Sequence, residues 1–87
     1  MKIIKDFILR NIAGEYVLIP TGTTTQEFNG LISLNEIAAF IWSNIEKVDD
    51  VDGMVKLILE EYEIDEMTAK IDVENFLAGL KESNIIN

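Results

Sequence analysis

Carboxylates are the only abundant side chains in this sequence that could support chemistry, and they gather in two acidic clusters. The first, Asp49 to Asp52, begins an Asp-x-Asp-Gly step that is superficially similar to a calcium-binding loop. The distal glutamate that such a loop needs is not at the required spacing, and an apolar helical pattern begins at once. Because carboxylates stabilise helix N-termini, this cluster predicts a helix start and no metal site. The second cluster, residues 60 to 66, predicts a solvated helix end and loop.

Other catalytic groups are scarce. The sequence has no histidine and no cysteine, so the commonest general base, the usual catalytic triad, thiolate metal sites and disulfides are all missing. The glycines match no phosphate-binding loop. Asp72 is the one acid within an apolar pattern, and we expect it to be exposed or paired with Lys70 or Lys81. The sequence therefore predicts a protein that is not an enzyme and has no cofactor.

The formal net charge of −9 indicates which kinds of partner this protein can bind. Such a surface repels phosphate backbones, and duplex binding draws most of its affinity from Lys and Arg, so no nucleic-acid partner is expected. A basic or apolar partner is favoured instead. No apolar run is long enough to span a membrane, and the N-terminus lacks the apolar region of a secretory signal. We therefore expect a cytoplasmic protein with no membrane partner.

The front of the chain has the alternation and the turn residues of a small antiparallel sheet. The pattern predicts strands over Ile3–Ile12 and Glu15–Pro20, with a turn at Ala13-Gly14 between them. A polar connection leads to a third predicted strand, Gln26–Ser33. Within it, Asn29-Gly30 indicates a bulge or tight bend.

The back of the chain predicts three amphipathic helices. Ser33 and Glu36 have the spacing of a capping box, so the first helix is expected to start at Ser33 and to end near Glu46. Asp50 and Asp65 are the expected N-caps of the second and third helices.

The segment after the third helix, which is expected to end near Ser83, should close the core. Asn84 tolerates a left-handed backbone there, and Ile85 and Ile86 should fold back as an apolar clasp. The predicted fold is one α+β domain over residues 1–87, winged-helix-like, with a three-stranded antiparallel sheet followed by three helices. Helical and strand spacing favours core packing over a ligand cage for the aromatic residues Phe28, Phe40, Trp42 and Phe76.

One apolar set invites a functional interpretation. Phe28, Leu31 and Ile32 lie on a predicted strand that could form the edge of the sheet. An edge strand exposes unpaired amides and carbonyls, and some proteins use it to bind a peptide as an added strand. Ordinary sheet packing is the alternative, and the residue types alone favour it.

The same set belongs to a longer series of motifs. The most specific of these is Leu34-Asn35-Glu36, at the entry to the first helix. The others are Glu15–Pro20 with Gly22, Phe28-Asn29-Gly30-x-Ile32, Ala38-x-x-Ile41-Trp42, Leu57-x-x-Glu60-Glu61-Tyr62-x-x-Asp65 and Ala69-x-x-Asp72-Val73-x-x-Phe76-Leu77-x-x-Leu80. In this order they resemble the PqqD-like family, named for pyrroloquinoline quinone synthesis protein D. The chain departs from the family at Asn84, where glycine is frequent, and in the acidity of residues 46 to 51.

The resemblance implies a peptide chaperone that performs no chemistry. In this family the leader segment of a ribosomally made precursor peptide adds as a strand beside the third strand. Its side chains occupy a groove between that strand and the third helix, and a modifying enzyme, often a radical S-adenosylmethionine protein, receives it. Carried over by position, the strand contacts fall on Phe28, Asn29, Gly30, Leu31 and Ile32, and on the third helix we expect contacts from Lys70, Ile71, Glu74, Asn75 and Ala78.

Other interpretations stay open on the sequence alone. The winged-helix topology permits a nucleic-acid-binding regulator, although the charge opposes it. A small hydrolase would have to rely on Asp72 and Lys70, and a structural subunit of a maturation enzyme is compatible with the adaptor role. Because an open sheet edge can also pair with itself, either a monomer or a homodimer is expected.

A proline at position 31 tests the strand contact. If the Leu31 amide bonds to an added peptide strand, Leu31→Pro removes that donor and should abolish binding of the leader peptide in a calorimetric titration. Unchanged affinity would exclude Leu31 as a strand contact.

Overall fold

A three-stranded sheet packs against three helices in the computed structural model, which describes residues 1–87 throughout. The strands are β1 (Phe7–Ile12), β2 (Glu15–Pro20) and β3 (Ile32–Leu34), and the helices are α1 (Glu36–Asn44), α2 (Val51–Glu61) and α3 (Glu66–Glu82). Short 3-10 turns cover Gly22–Gln26 and Ile45–Lys47. The strands are antiparallel in the order β1-β2-β3, which confirms the predicted α+β architecture. None of the helices combines the length and the apolar composition that crossing a membrane requires.

The β1–β2 hairpin forms as the sequence predicts. Ala13 and Gly14 both have positive φ, 53° and 86°, as a two-residue type I′ turn requires. The turn sets a register in which Ile12 pairs with Glu15 and Phe7 pairs with Pro20. The hairpin therefore presents a fixed second strand on which β3 can pair.

The first strand is shorter than predicted. β1 begins at Phe7, and the preceding residues join the C-terminus instead. The Ile4 amide donates to the Ile85 carbonyl at 2.8 Å, and Ile3 forms an isolated bridge with Ile86. Ile3 and Ile4 are β-branched residues that suit a strand, and only this pairing with the distant C-terminus shows that they are not part of β1.

The third strand is also shorter than predicted, and the expected start at Gln26 is wrong. Residues before it wind into a 3-10 turn, in which the Thr24 hydroxyl accepts from the Asp6 amide at 2.9 Å. Phe28 lies outside the strand and packs edge-on against Phe7, with ring centroids 5.3 Å apart. The predicted bend is confirmed at Gly30, where φ is 93°. β3 then occupies only Ile32–Leu34.

The predicted capping box of α1 is wrong. Asn35 is the N-cap, and its side-chain oxygen accepts from the Ala38 amide at 2.8 Å. Ser33 cannot serve because it lies in β3, opposite Val17. The helix ends at Asn44, and the predicted last turn, which extended to Glu46, is a 3-10 turn.

The remaining helix ends follow the sequence prediction. Asp50 caps α2 by accepting from the Gly53 amide at 2.8 Å, and Asp65 caps α3 by accepting from the Thr68 amide at 3.2 Å. Asn84 is left-handed, with φ 58°. The two following residues, Ile85 and Ile86, are buried, so the predicted apolar clasp is confirmed.

The core lies between the inner face of the sheet and the three helices. Leu18, Ile41 and Met54 are fully buried there, and Trp42 contacts Phe7 edge-on at 6.1 Å. Phe40 packs in the same way on Tyr62, at 5.4 Å. Burial first, and the nearby Glu36 carboxylate next, raise the pKa of Tyr62, so it packs as a neutral phenol. The aromatic residues therefore serve the core, as predicted.

Removing the observed cap should destabilise the domain, whereas removing the predicted one should not. Asn35→Ala loses the bond to the Ala38 amide and should lower the free energy of unfolding by about 1 kcal/mol. Ser33→Ala is the matched control and should change it by less than about 0.5 kcal/mol. Urea denaturation of both variants measures the difference, and equal losses would contradict the assignment.

Candidate functional site

The outer edge of β3 has no neighbouring strand. β3 pairs only with β2, through Tyr16–Leu34, Val17–Ser33 and Leu18–Ile32. One side of a three-residue strand is therefore available for pairing with another strand. The direction of each backbone N–H and C=O group decides which residues could bond to that strand.

The hairpin turn determines that direction. Residues that flank a two-residue loop bond to each other, so Ile12 and Glu15 do so, and alternation then makes Val17 face β1. Leu18 consequently faces β3, where it bonds to Ile32. Ser33 lies between the bonded pairs, so its N–H and C=O point away from β2. The free edge is thus centred on Ser33.

A groove runs beside this edge, between β3 and the C-terminal half of α3. Its volume is about 360 Å³, and apolar and small polar side chains line it. The lining residues are Ile32, Ser33, Leu34, Asn35, Ala38, Asn75, Phe76, Gly79, Leu80, Ser83 and Ile85. A second cavity of about 300 Å³ shares four of these residues and extends the groove between α1 and α3 toward Asp72.

Two neighbouring stripes on α3 build the wall of the groove. Val73, Leu77 and Leu80 are buried and hold the helix on the core. Asp72, Asn75, Gly79 and Ser83 follow at intervals of three and four residues, so they share one flank, which faces β3 at its C-terminal end and α1 at Asp72. A Cβ placed on Gly79 would meet no atom within 4 Å, which shows that the groove is open at this point.

The structure brings part of the predicted strand segment to the groove. Ile32 lines it. Phe28 packs on the core side, against Phe7, and Asn29, Gly30 and Leu31 form an exposed lead-in to β3. A continuation of β3 toward Leu31 would place the Leu31 amide on the same edge as that of Ser33. Peptide contacts from these residues stay a prediction.

On α3 only Asn75 of the predicted residues lines the groove. Lys70 lies at a depression against α2, and Glu74 and Ala78 lie at another, which Met1 and Asp50 also line. Ile71 is 48% exposed and lines neither cavity of the groove. These four residues therefore do not line the groove, and their contact with a peptide stays a prediction. Both flanks of the core stripe are polar, and only packing decides which one faces β3.

Sequence reasoning missed the α3 residues that line the groove, among them Gly79 and Ser83. The pattern that could have identified them is a row of small and polar residues at helical spacing on one side of the core stripe. The charged flank lies on the other side of that stripe. Asp72 was expected to be exposed or paired with a lysine, and it is neither. It is half-buried, and the chain's one salt bridge joins Lys5 to Glu27 at 2.7 Å.

Similarity to known proteins identifies the family of the chain. No curated protein sequence matches the chain. One solved structure is described as TbiB1 in complex with the TbiA(beta) leader peptide, and it is 26% identical with a TM-score of 0.71. The match covers all of this chain and 95% of that chain. Residues 15–86 match the family described as coenzyme PQQ synthesis protein D, PqqD. The chain therefore belongs to the PqqD family.

Proposed function

We propose that this chain is a peptide-binding recognition element, which binds the leader segment of a ribosomally synthesised precursor peptide as a fourth strand beside β3. The observation that carries the proposal is the free edge of β3 lying directly beside an apolar groove. The similar structure of TbiB1 is a complex with a leader peptide, which supports a peptide as the partner.

The two parts of the site would contribute differently to binding. The Ser33 N–H and C=O would bond to the backbone of the visiting strand, which any sequence can supply. Alternate side chains of that strand would enter the groove over Ile32, Phe76 and Leu80. Affinity would thus come mainly from the backbone and selectivity from the groove.

The adaptor would hand the bound peptide to a modifying enzyme, such as a radical S-adenosylmethionine protein. The family resemblance supports this partner. The protein itself would perform no chemistry, since the groove is lined by apolar, amide and hydroxyl groups and by a single carboxylate.

A chemical-shift titration tests the proposal. The probe is a synthetic peptide that covers the leader segment of the precursor encoded near this chain's gene. Binding should shift the amide resonances of Ser33, Asn75 and Gly79 together, and the Ser33 amide should become protected from hydrogen exchange because it gains a partner. Shifts confined to the free edge of β1, or no saturable shift, would contradict binding at β3.

Filling the groove should weaken binding without unfolding the domain. Gly79→Leu places a side chain in open space and replaces a poor helix former, so the free energy of unfolding should not fall. The affinity for the same peptide should drop about tenfold or more, which corresponds to about 1.4 kcal/mol.

Ala78→Leu is the comparison variant, since it places the same side chain one residue away, on the other flank. Calorimetry of both variants shows which flank binds. Loss of affinity in Ala78→Leu alone would favour the flank predicted from sequence over the groove.

A further inference from the structure

Asp72 is an unpaired carboxylate at one end of the groove. It is half-buried on α3 and lines the second cavity together with Asn35, Ile41 and Phe76. No salt bridge involves it, since the one ion pair of the chain lies between Lys5 and Glu27. Lys70, which is near it in sequence, lines a depression on the other side of α3, against α2.

No cation compensates this charge within the groove. Asp72 is the only charged residue among all those lining the two connected cavities. In the free protein, water reaches the carboxylate and solvates it. A peptide strand laid along the groove would displace part of that water, and a carboxylate that loses water without gaining a partner is costly. A peptide that brings its own cation removes this cost.

The position of Asp72 also gives the groove a polarity. β3 runs from Ile32 to Leu34, and the next residue, Asn35, also lines the cavity that contains Asp72. Ser83 and Ile85 line only the larger cavity, away from Asp72. One end of the groove is therefore uncharged, while the end nearest the start of α1 is anionic.

We propose that the groove selects a peptide strand with apolar side chains over Ile32 and Leu80 and with a lysine or arginine placed to meet Asp72. This inference rests on the proposed function and deepens it, because it states which peptides the site accepts. The overall charge of −9 acts in the same direction by attracting basic segments. Only Asp72 can contact the basic residue within the groove, since the other carboxylates of the chain do not line it.

Selection from a display library of random short peptides tests it. The library is panned on the wild type, on Gly79→Leu, on Asp72→Asn and on Glu60→Gln. The last is the matched control, because it removes the same charge from an exposed position on α2, outside the groove. The wild type and Glu60→Gln should enrich strands in which a basic residue stands at a fixed spacing from the apolar residues. Asp72→Asn should enrich the apolar residues without the basic one.

A synthetic peptide of the enriched sequence then measures the contact. Replacing its basic residue by norleucine should weaken binding to the wild type about fivefold and leave binding to Asp72→Asn unchanged, as one partly exposed charge pair predicts. Circular dichroism shows whether Asp72→Asn keeps its fold. Measuring both peptides on Glu60→Gln reports any effect of net charge alone.

The outcomes separate the two proposals. Apolar enrichment that Gly79→Leu abolishes, with no basic preference or with one that survives in Asp72→Asn, overturns this inference and leaves the proposed function standing. Absence of any enrichment, or enrichment that Gly79→Leu does not affect, overturns the proposed function and this inference with it.

Discussion

The free backbone groups of Ser33 are the feature on which the proposed function of this domain depends. They point away from β2 because a two-residue turn sets the register of the hairpin, and β3 inherits that register. Water satisfies them in the unbound protein, and a strand can replace that water at little net cost. The edge is short because Gly30 bends the chain before it and Asn35 starts a helix after it. Short edges are one way in which proteins limit uncontrolled pairing with other chains.

The three residues of β3 form the free edge and also line the groove. Ile32 and Leu34 bond to β2 through their backbones and turn their side chains toward α3, while Ser33 does the opposite. A visiting strand would therefore meet hydrogen-bonding groups and apolar surface at the same place. α3 completes the site because Gly79 leaves space where another residue would fill the groove.

Most carboxylates of this acidic chain have structural or solvating positions. Asp50 and Asp65 cap helices, and Glu27 pairs with Lys5 beside the 3-10 turn. Asp72 differs because it has no such role and lines the groove. The negative net charge disfavours nucleic acid over the whole surface. The single carboxylate of Asp72 would, under the inference proposed above, discriminate among peptides.

Local patterns in the sequence determined those features that depend on neighbouring residues: the hairpin at Ala13-Gly14, the caps of α2 and α3, and the left-handed Asn84. The order of strands and helices and the family followed from the motifs. Tertiary structure alone decided the start of β3 and the flank of α3 that faces it. Phe28 leaves the predicted strand because it packs on Phe7, which is far away in sequence, and the turn before it is held by the bond from the Asp6 amide to Thr24. Gly79 and Ala78 are adjacent and both are exposed, and only the packing of α3 on the core turns one toward the groove and the other away.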